Sequence, residues 1–250
     1  MNEKTIVITG ASSGIGQSLA LAYAQPEVQL LLTGRNAARL QQTVSDCQQQ
    51  GAKVVSTCVD VTDQNTLAHW LLQQDQLTPI DLIIANAGCS SKQIENQHPD
   101  LLTLEKAMTQ IHFIGTLNTL HPIVPRMQQR GHGQIALMSS MNAFFPLGRS
   151  RIYGALKAGL YHYGLAARAH YRQHGIQVNV ICPGWVESAL TDLNSFSMPF
   201  KLSGEQSACR ILSGLKKNKA VIAFPWPLRL LAASYRCLPK AWQVQIGSRF

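Results

Sequence analysis

Short apolar runs rich in Val, Ile and Leu recur along the chain, each too brief for a stable helix. Residues 4–9, 28–33, 53–58, 80–85, 134–139, 177–181 and 220–224 read as buried strands. Between them lie longer stretches with apolar residues at helical spacing and good helix formers: 14–25, 36–50, 63–75, 101–129, 152–174 and 204–218. Strand–helix alternation along the chain predicts an α/β fold, with a parallel sheet covered by helices on both faces. No repeat, linker or low-complexity segment interrupts it, so residues 1–250 read as a single domain. Two regions break the alternation. Residues 185–203 carry Trp185, Phe196, Met198 and Phe200 among small polar residues, and residues 225–250 open on Pro225-Trp226-Pro227 and turn basic and amphipathic.

Composition narrows the class. The 250 residues are 46% hydrophobic and 14% charged, which excludes a disordered chain. The apolar runs at 28–33 and 82–85 are far shorter than the roughly 20 residues of a membrane span. Lys4 leads straight into a strand and a glycine turn, so no secretory signal is expected. Cys47, Cys58, Cys89, Cys182, Cys209 and Cys237 are scattered with no CxxC pair, which predicts reduced thiols in a cytoplasmic protein and no metal site. The net charge of +9 is unevenly placed. Residues 1–125 hold 6 basic and 10 acidic side chains, residues 126–250 hold 16 and 3, and nothing acidic follows Glu205. Nucleic acid, a membrane surface or an anionic ligand are the partners such asymmetry raises. No recognition motif or aromatic-interleaved basic strip supports nucleic acid.

The chemistry begins at the end of the first strand. Thr9-Gly10-Ala11-Ser12-Ser13-Gly14-Ile15-Gly16 joins a strand to a helix, where free N–H groups and the positive dipole end suit a pyrophosphate. A plain tight turn is the alternative. The second strand ends in Thr33-Gly34-Arg35, with Arg39 one turn on and no carboxylate for the free ribose hydroxyls of NAD(H). Arg35 and Arg39 therefore favour NADP(H), through charge-assisted bonds to a 2′-phosphate, unless they are only a solvated helix start. Asp60-Val61 after the third strand are candidates for the adenine edge, and Asn86-Ala87-Gly88 end the fourth strand where ligands bind in open α/β sheets.

Ser139-Ser140 end the fifth strand, Tyr153 follows thirteen residues after Ser140, and Lys157 lies four beyond that, on the same helical face. A phenol is too weak an acid to exchange protons readily at neutral pH. A neighbouring ammonium is expected to lower its pKa and make Tyr153 a general acid/base, with Ser140 orienting a carbonyl oxygen. With these residues in place, the sequence resembles the short-chain dehydrogenase/reductase family. The resemblance runs from residue 1 to about 225 and rests on TGASSGIG (9–16), Asp60, NAG (86–88), Ser140, Tyr153/Lys157 and PGWVES (183–188).

The resemblance implies a doubly wound Rossmann-type sheet of about seven strands. It implies that Tyr153 protonates the carbonyl oxygen as hydride arrives, that Lys157 holds the nicotinamide ribose, and that Ser140 polarises the carbonyl. Pro183, Gly184, Val186 and Ser188 then flank the nicotinamide. It also implies dimers or tetramers built through 101–129 and 152–174. The substrate walls become Met141, Asn142, Ala143, Phe144, Phe145, Pro146 and Leu147, with Trp185, Leu190, Phe196 and Met198 from a substrate loop at 185–203. Their apolar character points to a hydrophobic ketone or secondary alcohol.

One position departs from the family. Where its long helix usually carries Asn, this chain has His112. His112 is thus a fourth catalytic candidate, relaying protons through its ring or substituting through its backbone carbonyl; a packed core histidine is the alternative. In the tail, Leu228, Leu231, Tyr235 and Leu238 form an apolar stripe flanked by Arg229, Arg236 and Lys240 and bracketed by Trp226 and Trp242. Such a helix covers a pocket, meets a subunit or lies on an anionic bilayer. The leading expectation is an NADPH-dependent carbonyl reductase. A non-catalytic dinucleotide-binding regulator is the alternative that His112 leaves open.

Overall fold

A computed structural model describes residues 4–90, 94, 100–187, 198 and 200–248. Seven parallel strands form one sheet: β1 (Lys4–Ile8), β2 (Val28–Gly34), β3 (Lys53–Cys58), β4 (Leu82–Ala85), β5 (Gly133–Met138), β6 (Ile176–Pro183) and β7 (Val221–Phe224). Their spatial order is β3-β2-β1-β4-β5-β6-β7. The chain starts mid-sheet, winds outward through β2 and β3, then returns to the far side of β1 at β4. That reversal opens a crevice between the carboxyl ends of β1 and β4, where ligands bind in doubly wound sheets.

The strand interiors are apolar on both faces because both are covered. Ile6, Ile8, Leu30, Leu32, Leu82 and Ile84 point into one core layer, with Leu19 of α1 (Gly14–Tyr23), Leu40 and Val44 of α2 (Ala37–Gln49) and Ile211 of α8 (Gly204–Lys216). Val7, Leu31, Ile83, Ile135 and Leu137 point into the other. There they meet Leu67 and Leu71 of α3 (Gln64–Leu77), Met127 of α6 (Val124–Arg130) and Ala167 of α7 (Arg151–Tyr171). Each such side chain removed from water contributes about 1.5–3 kcal/mol. Asn36 and Asp63 cap α2 and α3, accepting bonds from the backbone N–H of Arg39 and Thr66.

The predicted helix 101–129 is not continuous. It runs as α4 (Leu101–Thr109), a π-helical turn over Gln110–Ile114, α5 (Gly115–Leu120) and then α6. Pro122 and Pro125 lack the N–H groups that an uninterrupted helix needs, so the break before α6 is expected of them. The π turn carries His112.

After β7 come α9 (Trp226–Cys237) and α10 (Lys240–Gly247). The expected apolar stripe is split between inside and outside. Tyr235 is buried with Ala232, and Leu228 packs partly buried against the same cluster, whereas Leu231 is 56% exposed. Tyr235 Oη donates to the Gln243 carbonyl at 2.6 Å and ties the two helices together.

Candidate active site

The glycine turn lies at the crevice. Gly10 has φ +70°, and a Cβ there would press on the Ala87 backbone at 2.9 Å. A Cβ on Gly16 would run into the Gly10 carbonyl and the Asn86 amide. Asn86 Nδ2 donates to the Thr9 carbonyl at 2.9 Å, while the N–H groups of Asn86 and Ala87 donate to Thr9 Oγ1. The Asn86 amide therefore secures the turn to β4 and is not aimed outward as a ligand contact. No side chain caps α1 at Ser13, which leaves the first helical N–H groups open to an anion. They face a groove of ≈ 480 Å³ lined by Ser12, Ser13, Gly14, Arg39, Gln42 and Glu187, among others. Short glycine-framed backbone, uncapped N–H groups and a guanidinium together fit a dinucleotide phosphate.

Arg35 at the end of β2 reaches Asp60 beyond β3, with Nη1 to Oδ2 at 3.6 Å. Both side chains are well exposed, so this pair holds Arg35 only weakly. Asp60 Oδ1 accepts from Thr62 N–H and Oγ1 at 2.9 and 2.8 Å. Val61 is buried, and its carbonyl accepts from Asn118 Nδ2.

Across the crevice, the Ser140 hydroxyl neighbours Tyr153 and favours its phenolate. Ser140 leads out of β5 with extended backbone, and its Oγ accepts from Asn142 N–H at 3.1 Å, which fixes the hydroxyl at the sheet edge. Lys157, one turn along α7 from Tyr153, is buried and donates to the Met138 carbonyl at 2.8 Å. Its ammonium sits 5.6 Å from the Tyr153 ring centroid. Ser139, the other serine of the pair, donates its hydroxyl to the Lys157 carbonyl at 2.7 Å and anchors α7 to β5.

Burial acts on both catalytic candidates. It raises the Tyr153 pKa above 10, and the Ser140 hydrogen bond opposes that only in part. It pushes Lys157 down to about 8. The sequence led to the opposite direction for Tyr153. The cost of burying a phenolate outweighs what Ser140 returns, so Tyr153 stays a protonated acid at neutral pH.

His112 stands edge-on to Tyr153, ring centroids 5.4 Å apart at 84°. It is 2% exposed, and Nε2 lies 3.0 Å from the Cys89 carbonyl. The shorter contact favours a protonated Nε2, while Cys89 N–H also approaches that nitrogen at 3.4 Å; buried Nδ1 has no partner among the described residues. Burial and the Lys157 charge push the His112 pKa down to about 3, so the ring is neutral at physiological pH. A cationic imidazole is thereby excluded from the role sequence reasoning left open. Its carbonyl accepts the Thr116 hydroxyl at 2.8 Å, so the backbone route is shared with that bond.

Pro183 closes β6, and Gly184 N–H donates to the Phe224 carbonyl at 2.7 Å. A parallel bridge between Val186 and Leu202 pins the two ends of the expected substrate loop. Ser188, Leu190 and Phe196 lie outside the described residues. Met141, Phe144 and Phe145 form an apolar wall backed by α9. Sequence reasoning missed Cys89, whose Sγ is 3.6 Å from His112 Nε2; its place directly after Asn86-Ala87-Gly88 was the available signal. It also missed Gln42 and Glu187, for which nothing in the motif pointed to the groove. Among the described residues, no group of three or more His, Cys, Asp or Glu converges as a metal site.

Known proteins share this arrangement. The profile of the family described as short chain dehydrogenase matches residues 4–196. An uncharacterized oxidoreductase of Myxococcus xanthus is 30% identical over 240 residues, covering 96% of this chain and 94% of its own. A short-chain dehydrogenase from Sphingobium yanoikuyae, solved in complex with NADPH, superposes with TM-score 0.79 at 22% identity, over 98% of this chain and 93% of that one. Another, from Mycobacterium paratuberculosis and bound to NAD, gives TM-score 0.75 at 21% identity, over 89% and 95%. The two neighbours thus carry different dinucleotides.

Proposed function

The chain belongs to the short-chain dehydrogenase family of oxidoreductases, and on that footing we propose an NADP(H)-dependent carbonyl reductase acting on an apolar ketone or, in reverse, a secondary alcohol. One observation carries the reading. Two neighbouring hydroxyls, Ser140 and Tyr153, stand at the carboxyl edge of the sheet with a buried lysine behind them.

The bound nicotinamide supplies the hydride in reduction and takes it back in oxidation. Everything else falls to the chain. The Ser140 and Tyr153 hydroxyls neighbour each other, so a substrate oxygen placed between them meets both. Ser140 donates to that oxygen and orients the carbonyl. Tyr153, kept protonated by burial, gives its proton as charge develops there. The Lys157 ammonium then stabilises the phenolate from beside the ring. His112, neutral and edge-on, packs the ring in place. Gly10, Ser12, Ser13, Gly14, Ile15 and Gly16 hold the pyrophosphate. Asp60 and Val61 border the adenine, and Ala87, Gly88, Pro183, Gly184 and Val186 border the nicotinamide.

The NADP(H) preference rests on Arg35 and Arg39. The weak pair with Asp60 costs about 0–1 kcal/mol to release, and a charge-assisted bond to a 2′-phosphate contributes about 1.5–3 kcal/mol. The Met141–Phe145 wall supports an apolar substrate. A homodimer or homotetramer through α4 and α7 belongs to the same reading, supported by exposed Leu101 and Leu102. Six free cysteines fit a cytoplasmic setting.

A panel of apolar ketones followed by NADPH and NADH absorbance tests the proposal. NADPH is expected to give kcat/KM at least about tenfold higher than NADH, and Arg35→Ser to remove most of that margin. Equal use of both dinucleotides by the unmodified chain would refute the NADP(H) assignment.

A further inference from the structure

The C-terminal helix pair keeps an apolar outer face that the fold does not use. On α9, Trp226, Leu230, Ala233 and Cys237 follow one another at i, i+4, i+7 and i+11 along the outer ridge, and all four are exposed. Trp226 is 66% and Leu230 60% exposed; on α10, Trp242 is 59% and Val244 65% exposed. This face is distinct from the inward one, where Leu228, Ala232 and Tyr235 pack against Met141, Phe144 and Phe145. Arg229 and Arg236 form the ridge beside the apolar one, with Lys240 at the start of α10, and all three are exposed. No Asp or Glu follows Glu205 in the sequence.

We propose that the outer face of α9 and α10 docks on an anionic lipid bilayer. Charge selects this occupant. In a two-fold contact between copies the same patch meets itself, so Arg229, Arg236 and Lys240 of one copy would face like charges, against which Glu205, sharing a groove with Trp226 and Arg229, is a single acid. An anionic lipid surface complements the same patch. Exposed tryptophans on both helices suit the headgroup level, where an indole buries its apolar body and keeps its N–H wet. The basic side chains reach the headgroups while their stems lie along the apolar ridge. Among the described residues no helix is long and apolar enough to cross a membrane, so the docking is peripheral.

Docking would also bring lipid to the substrate wall. Tyr235 packs on Phe145 with ring centroids 5.2 Å apart, and Gly247 lies against the Pro146 carbonyl, so the inner side of the tail backs the segment that follows Ser140. This consequence rests on the reductase reading; the docking itself does not.

Vesicle co-sedimentation of the full chain tests docking without turnover, so its failure is separate from any failure of the catalytic reading. Vesicles of phosphatidylcholine alone are compared with vesicles containing phosphatidylserine, at about 0.1 M and about 1 M salt. The chain is expected on the anionic vesicles at low salt, and to leave them at high salt. Each basic side chain near an anionic surface strengthens binding about fivefold, so the triple variant Arg229→Ser/Arg236→Ser/Lys240→Ser should bind about a hundredfold more weakly. Trp226→Ser/Leu230→Ser should also weaken binding, and circular dichroism confirms that both variants fold. A folded full chain that ignores anionic vesicles at low salt overturns the proposal. So does equal binding to both lipid compositions, or sedimentation showing that Trp226→Ser/Leu230→Ser instead breaks a dimer.

Discussion

His112 lies edge-on to the Tyr153 ring in a π turn, and its neutrality has two consequences. Its pKa falls from 6.5 in a free chain to about 3 in the fold. Between those values the unfolded chain takes up a proton that the folded chain refuses, so stability is lost as pH falls. The loss is about 1.4 kcal/mol per pH unit. Urea unfolding at successive pH values should show this slope, and His112→Asn should flatten it. Reductase rate, by contrast, should show no ionisation from this ring near neutrality. A step close to 6.5 that disappears in His112→Asn would make the imidazole a titrating participant. Lys157 behaves differently. With its pKa at about 8, the ammonium that supports the Tyr153 phenolate is lost in mildly alkaline solution. The pH profile of kcat/KM should therefore fall above about 8. His112 stood out in the sequence because the family pattern has another residue there. Its neutrality did not, because that depends on burial against Gly88 and Cys89, which are distant in sequence.

At the scale of elements, the inner strands were legible because they are apolar runs buried on both faces, and α2 and α3 start where Asn36 and Asp63 cap them. The π turn was not. Nothing in the apolar spacing of 101–129 distinguishes one extra residue per turn from a regular helix. The glycine turn is the element most dependent on absent side chains. Gly16→Val should weaken NADPH binding at least about tenfold and cost about 1–3 kcal/mol, since its Cβ meets the Gly10 carbonyl and the Asn86 amide. Fluorescence titration and thermal unfolding read the two effects. Asp75 is a structural counterpart on α3. It is buried, takes both bonds of a paired contact from Arg130 at 2.9 Å, and accepts from Ile80 N–H. Asp75→Ala should cost about 3–5 kcal/mol in chemical unfolding with little change in NADPH affinity.

For the whole molecule, the alternation of strands and helices pointed to the sheet and its two covered faces. The order β3-β2-β1-β4-β5-β6-β7 was not legible, since periodicity says nothing about which strands are neighbours and the resemblance implied only a doubly wound sheet of about seven strands. The tail was harder to read because α9 carries apolar residues around most of its circumference. Only packing against the Phe144–Phe145 segment separates the inner set from the outer one. The uneven charge noted along the chain thereby divides. Arg35, in the acidic half, ends β2 and pairs with Asp60, while the end without Asp or Glu carries an exposed apolar and basic surface. The proposed reduction rests on the Ser140–Tyr153–Lys157 cluster, and the most direct test is NADPH-dependent reduction of an accepted ketone by the unmodified chain and by Tyr153→Phe, with NADPH affinity measured alongside. The account predicts a kcat at least about 100-fold lower with NADPH affinity little changed; a Tyr153→Phe protein that reduces the ketone at the unmodified rate would contradict it.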